Sequence, residues 1–195
     1  MNNDKEAITS ILSELWTEYK SLCQSEIFDQ KAPITERDIV AEIYSKLKDF
    51  CAERKNLSVH CEIKPYELKP AYDKNDCEKL KGFPRIDIVI LSGQAWIAPA
   101  INIQNVYNKG KFEARYSAIP VEFFHTAIEV KIQSKPGDAE KDIIKLRKLQ
   151  EQNNACNCFF VLLNARGQRA DHKSIIEKHA KEKGICIFEY SCNNA

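Results

Sequence analysis

The stretch "FFHTAIEVKIQSK", residues 123–135, sets a carboxylate and an ammonium side by side in an otherwise apolar neighbourhood. Ile128, Val130 and Ile132 alternate with Ala127, Glu129, Lys131 and Gln133. That is the period of a β-strand, whose successive side chains point to opposite faces. Glu129 and Lys131 therefore share one face, which Gln133 and Lys135 extend toward the end of the strand. A bare Glu/Asp-x-Lys pattern does not select this site, because it also begins at Glu18, Asp29, Glu53, Glu62, Glu67 and Asp171. Only Glu62 and Glu129 lie in convincing strands, and only Glu129 follows an earlier strand that carries an Asp.

That earlier strand is "PRIDIVIL", residues 84–91, where Asp87 is flanked on the opposite face by Ile86, Ile88 and Ile90. An acid inside so apolar a strand is costly unless it is paired or coordinates a cation. The helix expected at 35–55 supplies a further acid. At 100° per residue, Ile39, Val40, Ile43, Leu47, Phe50 and Cys51 fall within about 60° of one direction. Glu36 lies at the centre of that arc, whereas Asp38 and Glu42 point away. The ordinary reading of Glu36 is a first-turn acid favoured by the helix dipole.

Two carboxylates at one locus suit Mg²⁺, which takes oxygen ligands and is satisfied by one or two protein carboxylates plus waters. Such an ion lowers the pKa of a bound water and neutralises charge on a phosphoryl oxygen. Lys131, on the Glu129 face, can position the attacking water or offset developing negative charge. The competing explanation is a buried ion-pair cluster, which adds little net stability and is costly to half-break.

Other candidates carry less. Lys141, Lys145 and Lys148 lie opposite the Ile143/Leu146 face of their helix, as a solvated basic stripe or a track for phosphates. Tyr107, Phe112 and Tyr116 interleave with Lys109, Lys111 and Arg115, a pattern that serves either nucleic-acid contact or hairpin packing. Glu62, beside His60 and Lys64, fits a half-exposed sheet face with a supporting role at the site as the alternative. His125, His172 and His179 have no spacing that points to catalysis or metal binding.

The elements that must position these residues follow from the pattern. An amphipathic helix spans 4–28, with Ile8, Ile11, Leu12, Leu15, Tyr19 and Leu22 on one side. A second begins after Thr35, a fitting N-cap. Strands are expected at 57–64, 84–91 and 125–133, a helix at 138–152, a strand in "CFFVLLNA", a helix at 171–183 and a last strand in "ICIFEY". Residues 92–122 read as an insertion, with "NKGK" as a hairpin turn. The economical architecture is a mixed sheet flanked by helices.

The 195 residues, 44% hydrophobic, suffice for one well-filled domain. A formal charge of +1 argues against a generally basic nucleic-acid binder, so any such contact needs a local patch. No run approaches ~18 apolar residues, which excludes a helical membrane span. The polar start "MNNDKEAITS" has no signal-peptide core, and a cytoplasmic location is expected. The eight cysteines include no CxxC; Cys61, Cys158 and Cys186 fall in strand-like runs and read as small hydrophobes in a reducing compartment.

The order helix-Glu, strand-Asp, strand-Glu-x-Lys resembles the PD-(D/E)XK nuclease superfamily, carried by "PRID" around Asp87, "IEVK" with Glu129 and Lys131, and "ERDIV" with Glu36. The likeness covers roughly residues 35–190 in element order, through short motifs. Pro84 stands three residues from Asp87 rather than adjacent, and the Asp87–Glu129 gap is long for the family. The resemblance implies an α/β, restriction endonuclease-like three-layer core with a mixed central sheet, preceded by an extra N-terminal helix and linker at 1–34. The nuclease-like domain would then span 35–195. It further implies Mg²⁺ (with Mn²⁺ able to substitute) held by Asp87, Glu129 and the Val130 carbonyl. Lys131 would position the water, and Glu36 would complete the site through a second ion or a water. The implied reaction is hydrolysis of a DNA phosphodiester leaving a 5′-phosphate, with a homodimer suited to cutting two strands. The rival is a non-catalytic protein- or nucleic-acid-interaction module on the same fold, in which the charged cluster is structural.

Overall fold

The computed structural model describes residues 2–23, 35–66, 85–93, 118–132, 136–164, 178 and 184–191. Two helices open the chain, α1 (Asn2–Cys23) and α2 (Glu36–Ala52). Strands β1 (Leu57–Tyr66), β2 (Ile86–Ser92) and β3 (Ala118–Pro120) follow, with a single 3₁₀ turn at Val121–Phe123 leading into β4 (Phe124–Ile132). Helix α3 (Pro136–Gln152) then crosses to β5 (Asn157–Asn164), and β6 (Ile185–Ser191) ends the described chain.

The strands form one mixed sheet in the order β3-β1-β2-β4-β5-β6. β1, β2 and β4 pair antiparallel, whereas β4, β5 and β6 run parallel, as the helical crossover between β4 and β5 requires. Alternation sorts the side chains into two cores. Ile88, Ile90, Ile128, Val130, Phe159 and Val161 meet α1 and α2 on one face, where Ile8, Leu12, Ile43 and Leu47 are sealed from water. Val89, Leu91, Ala127, Phe160 and Leu162 meet Ile143, Leu146 and Leu149 of α3 on the other. The result is a three-layer α/β fold with the sheet in the middle, as the sequence leads one to expect.

α1 is tied to α2 by Lys46–Glu18 at 3.0 Å and by Arg54–Asp4 at 2.9 Å, the Arg54 guanidinium also lying 3.7 Å over the Phe50 ring. Its described part runs Asn2–Cys23, and residues 24–28 of the expected helix lie outside the described residues. The linker at 24–34, the expected helix at 171–183 apart from residue 178, and residues 94–117 of the insertion lie outside the described residues. The expected hairpin around "NKGK" thus lies outside the described residues, and only the end of the insertion is described. Residues 118–120 join the sheet as an edge strand parallel to β1 (Lys64↔Ala118, Tyr66↔Pro120). Of the three cysteines in strand-like runs, Cys61 is exposed on β1, Cys158 is buried and Cys186 half-buried.

Candidate functional site

β2 and β4 carry the acids. Their register runs Ile90↔Thr126, Val89↔Ala127, Ile88↔Ile128, and its next step sets Asp87 level with Glu129. Both side chains belong to the face that packs on α3, since Ile88, Ile128 and Val130 beside them face α1 and α2. Ile86, expected on that second face too, departs from the alternation at the start of β2 and joins the α3-side core. The paired register stops at Ile88↔Ile128, and beyond it the Asp87 side chain takes over: its Oδ2 accepts the Val130 N–H at 2.8 Å. A strand residue projects its N–H and C=O from the same edge, so the Val130 carbonyl also lies on the Asp87 side.

Glu129 is 1% exposed, and its Oε1 lies 2.6 Å from Nζ of Lys145 on α3. The contact is an ion pair too far off axis to be an aligned hydrogen bond, so Oε1 is a buried oxygen without one. Lys145 Nζ also donates to the Arg85 carbonyl at 2.6 Å and lies 3.0 Å from Asp142 Oδ1. The reading of Lys145 and Lys148 as a solvated stripe is thus corrected, both being under 10% exposed, whereas Lys141 is an exposed partner of Asp138. An ammonium can leave the solvated side of its helix when a buried carboxylate awaits it, and here Glu129 does.

Lys131 is held by two other acids, Glu36 Oε1 at 3.1 Å and Asp142 Oδ2 at 3.3 Å. Glu36 comes from the opposite layer: α2 packs on the Ile88/Val130 face, and its first residue reaches the end of β4. A capping box fixes that first turn. Thr35 Oγ1 accepts from Asp38 N–H at 3.4 Å, and the Thr35 N–H donates back to Asp38 Oδ2 at 2.7 Å. Asp142 is the residue that sequence reasoning missed. Its signal was its place three residues before Lys145, on the helix that follows the Glu-x-Lys strand.

Glu62 does not join the cluster. Flanked by Cys61↔Ile88 and Ile63↔Ile86, it stands level with Asp87, but its backbone is left-handed (φ 58°) and its carboxylate turns out to Arg85 at 3.4 Å. Like charges directly across a ladder repel, which that turn avoids. Gln133 and Lys135 lie outside the described residues.

The electrostatics follow from burial. Burial pushes the Glu129 carboxyl well above its usual range; Asp87 and Asp142 add to the rise, and Lys145 opposes it. Burial likewise raises Asp87, against the Val130 N–H, Lys131 and Lys145. For Lys131 burial alone would lower the pKa, but the carboxylates of Asp142, Asp87 and Glu36 outweigh it and the ammonium is stabilised. Lys145 is raised by Glu129 and Asp142 in the same way, against its own burial.

These residues fit a divalent cation. Asp87, Glu129, Asp142 and Glu36 bring four carboxylates against the two ammonium groups of Lys131 and Lys145, leaving two negative charges uncompensated when all are ionised. The donors are all hard oxygens, and one of them, Glu129 Oε1, is buried without an aligned partner. Among the described residues no group of three or more His, Cys, Asp or Glu is placed to hold a metal ion. Mg²⁺ needs fewer protein ligands because it retains waters.

No family model and no curated protein matches this chain. Among solved structures, NucC of P. aeruginosa in its cAAA-bound form is similar over 93% of this chain and 73% of that chain, at 10% sequence identity and a TM-score of 0.45. No helix among the described residues is long and apolar enough to cross a membrane.

Proposed function

We propose that the protein is a metal-dependent nuclease, an endonuclease that hydrolyses phosphodiester bonds in DNA. The observation that carries this reading is the meeting of Asp87 and Glu129 at one end of the sheet with Lys131 beside them, in a cluster two positive charges short of neutrality once its four acids are ionised, as a bound cation would have them. Asp87, Glu129 and the Val130 carbonyl are the groups that would hold Mg²⁺, or Mn²⁺ in its place. The bound ion would supply Lewis-acid stabilisation of the phosphoryl oxygens and a water of lowered pKa.

The chain's own residues do the rest. Asp87 is fixed by the Val130 N–H, so its other oxygen is aimed without further ordering. Lys131, kept as an ammonium by its acids, orients the nucleophilic water and faces the charge that develops on the phosphoryl group. Glu36 holds Lys131 from the α2 side and, being 39% exposed, stands where solvent water enters. A protein acting on both strands of a duplex would work as a homodimer.

One observation favours a second reading, a non-catalytic interaction module: Lys131 and Lys145 already have carboxylate partners. What that reading leaves without a purpose is a pair of acids in excess of the two ammonium groups.

The deciding experiment incubates the protein and a Lys131→Ala variant with linear, supercoiled, single-stranded and branched DNA in Mg²⁺, Mn²⁺ or EDTA. Metal-dependent cutting by the parent, lost in the variant, is expected. Absence of cutting on every substrate, with no metal binding by calorimetry, overturns the nuclease.

A further inference from the structure

Lys145 sits in surroundings that resemble a cation site. Its Nζ is 2.6 Å from Glu129 Oε1, 3.0 Å from Asp142 Oδ1 and 2.6 Å from the Arg85 carbonyl oxygen. Two carboxylate oxygens and one main-chain carbonyl are the donor types a hard divalent ion selects. An ammonium has three N–H donors for three such acceptors. The three contacts are unequal, however: the Arg85 carbonyl accepts a hydrogen bond, whereas the contact to Glu129 Oε1 lacks hydrogen-bond alignment. Arg85 also stands two residues before Asp87, so the same ammonium ties α3 to the start of the strand that carries the other acid. At 6% exposure Lys145 is no solvated surface charge.

We infer that Lys145 is the resident counter-cation of the site. In the metal-free protein it holds the Glu129 oxygen that a divalent ion needs, and metal loading is an exchange in which Lys145 yields Glu129 and keeps Asp142 and the Arg85 carbonyl. This rests on the metal-binding reading above. The flexible four-carbon stem of lysine permits the small shift while both retained contacts hold. Lys145 is then a positioning residue that sets how readily metal enters. Lys131, bound to Glu36 and Asp142, does not stand on the oxygen being exchanged.

The test is calorimetric titration of Mn²⁺ into the full chain and its Lys145→Met and Lys131→Met variants, with circular dichroism to check folding. Both substitutions delete one positive charge near the ion, so a mere field effect moves them alike. The exchange predicts that Lys145→Met binds Mn²⁺ roughly tenfold or more tightly than the parent and clearly more tightly than Lys131→Met does. Lys145→Arg, which retains the cation, should bind like the parent. If Lys145→Met does not fold, Lys145→Gln carries the same expectation, because its amide can still donate to the Arg85 carbonyl. Parent-like or weaker binding by the folded Lys145 variant, or an equal gain in Lys131→Met, overturns the exchange alone. Absence of Mn²⁺ binding in both the parent and the Lys145 variant overturns the exchange and the metal-binding reading together.

Discussion

Asp87 Oδ2 accepts the Val130 N–H at 2.8 Å just beyond the last paired step of the β2–β4 ladder, so a side chain satisfies a main-chain group that a strand neighbour would otherwise satisfy. The acid is thereby placed at the mouth between two strands, next to Glu129, without a loop to hold it. Asp87→Asn keeps an acceptor for Val130 and removes the charge, whereas Asp87→Ala leaves a buried N–H unpaired. The alanine variant should lose about 1–3 kcal/mol of stability, the asparagine variant much less, and both should lose metal binding. Denaturant unfolding and Mn²⁺ calorimetry read the two effects separately. Equal stabilities for the two variants would mean that the hydrogen bond contributes nothing.

Lys131 is paired with Glu36 and Asp142, and Asp87 acts on it only as a nearby charge. Its removal should therefore leave metal binding in place and act on the chemical step. On the proposed reading, Lys131→Met lowers kcat by roughly 10²–10³. Single-turnover cleavage with saturating metal is the measurement, and loss of Mn²⁺ binding in this variant would reassign Lys131 to holding the carboxylates.

Asp142 bridges both lysines, with Oδ2 at 3.3 Å from Lys131 and Oδ1 at 3.0 Å from Lys145. Its side chain is 14% exposed, against 39% for Glu36. Asp142→Ala removes one contact from each ammonium, but Lys145 keeps Glu129 and Lys131 keeps Glu36; an exposed pair is further screened by solvent. Asp142→Ala should cost about 1–3 kcal/mol, and Glu36→Ala no more than about 1 kcal/mol. Chemical denaturation of the two variants decides the order; a Glu36 variant as damaged as the Asp142 variant would place Glu36 in the buried network.

The strands and helices that hold the site were legible because burial stamps a period on the chain. β2 and β4 alternate isoleucine with the acids, and α2 opens with Thr35 followed by Asp38, whose side chains cap it reciprocally. Lys145 was not legible as a buried group. On its own helix it falls opposite Ile143 and Leu146, and it is drawn inward by groups on other elements, the Glu129 carboxylate sixteen residues earlier and the Arg85 carbonyl. Asp142 was hidden for the same reason: its two lysine partners lie on different elements. Glu62 shows the converse. It shares the Glu-x-Lys pattern and stands level with Asp87, yet a left-handed backbone turns it toward Arg85. Pairwise electrostatics between elements leave no period in a sequence.

The pH dependence of stability tests the buried acid directly. Burial raises the folded Glu129 carboxyl well above its ordinary value of 4.5, and Asp87 is raised by the same cause. The folded metal-free protein therefore holds these protons more tightly than the unfolded chain does. Stability from that source is fully present below about pH 4.5 and is lost as pH rises from there through the raised folded values. Asp38, lowered by its backbone and side-chain bonds to Thr35, acts with the opposite sign but below its ordinary 3.8, outside this window. Lys131 and Lys145 are raised from 10.5 and so change nothing until alkaline pH. His60 and His125, lowered from 6.5 by burial, act with the opposite sign in the upper part of this window. Thermal unfolding in EDTA therefore reads the Glu129 contribution as a difference: as pH rises above 4.5 the parent's midpoint should fall relative to that of Glu129→Gln, which cannot titrate. Mn²⁺, which selects the ionised carboxylates, should flatten the parent's profile and bind more tightly as pH rises. A Glu129→Gln profile as steep as the parent's would show that the proton sits elsewhere.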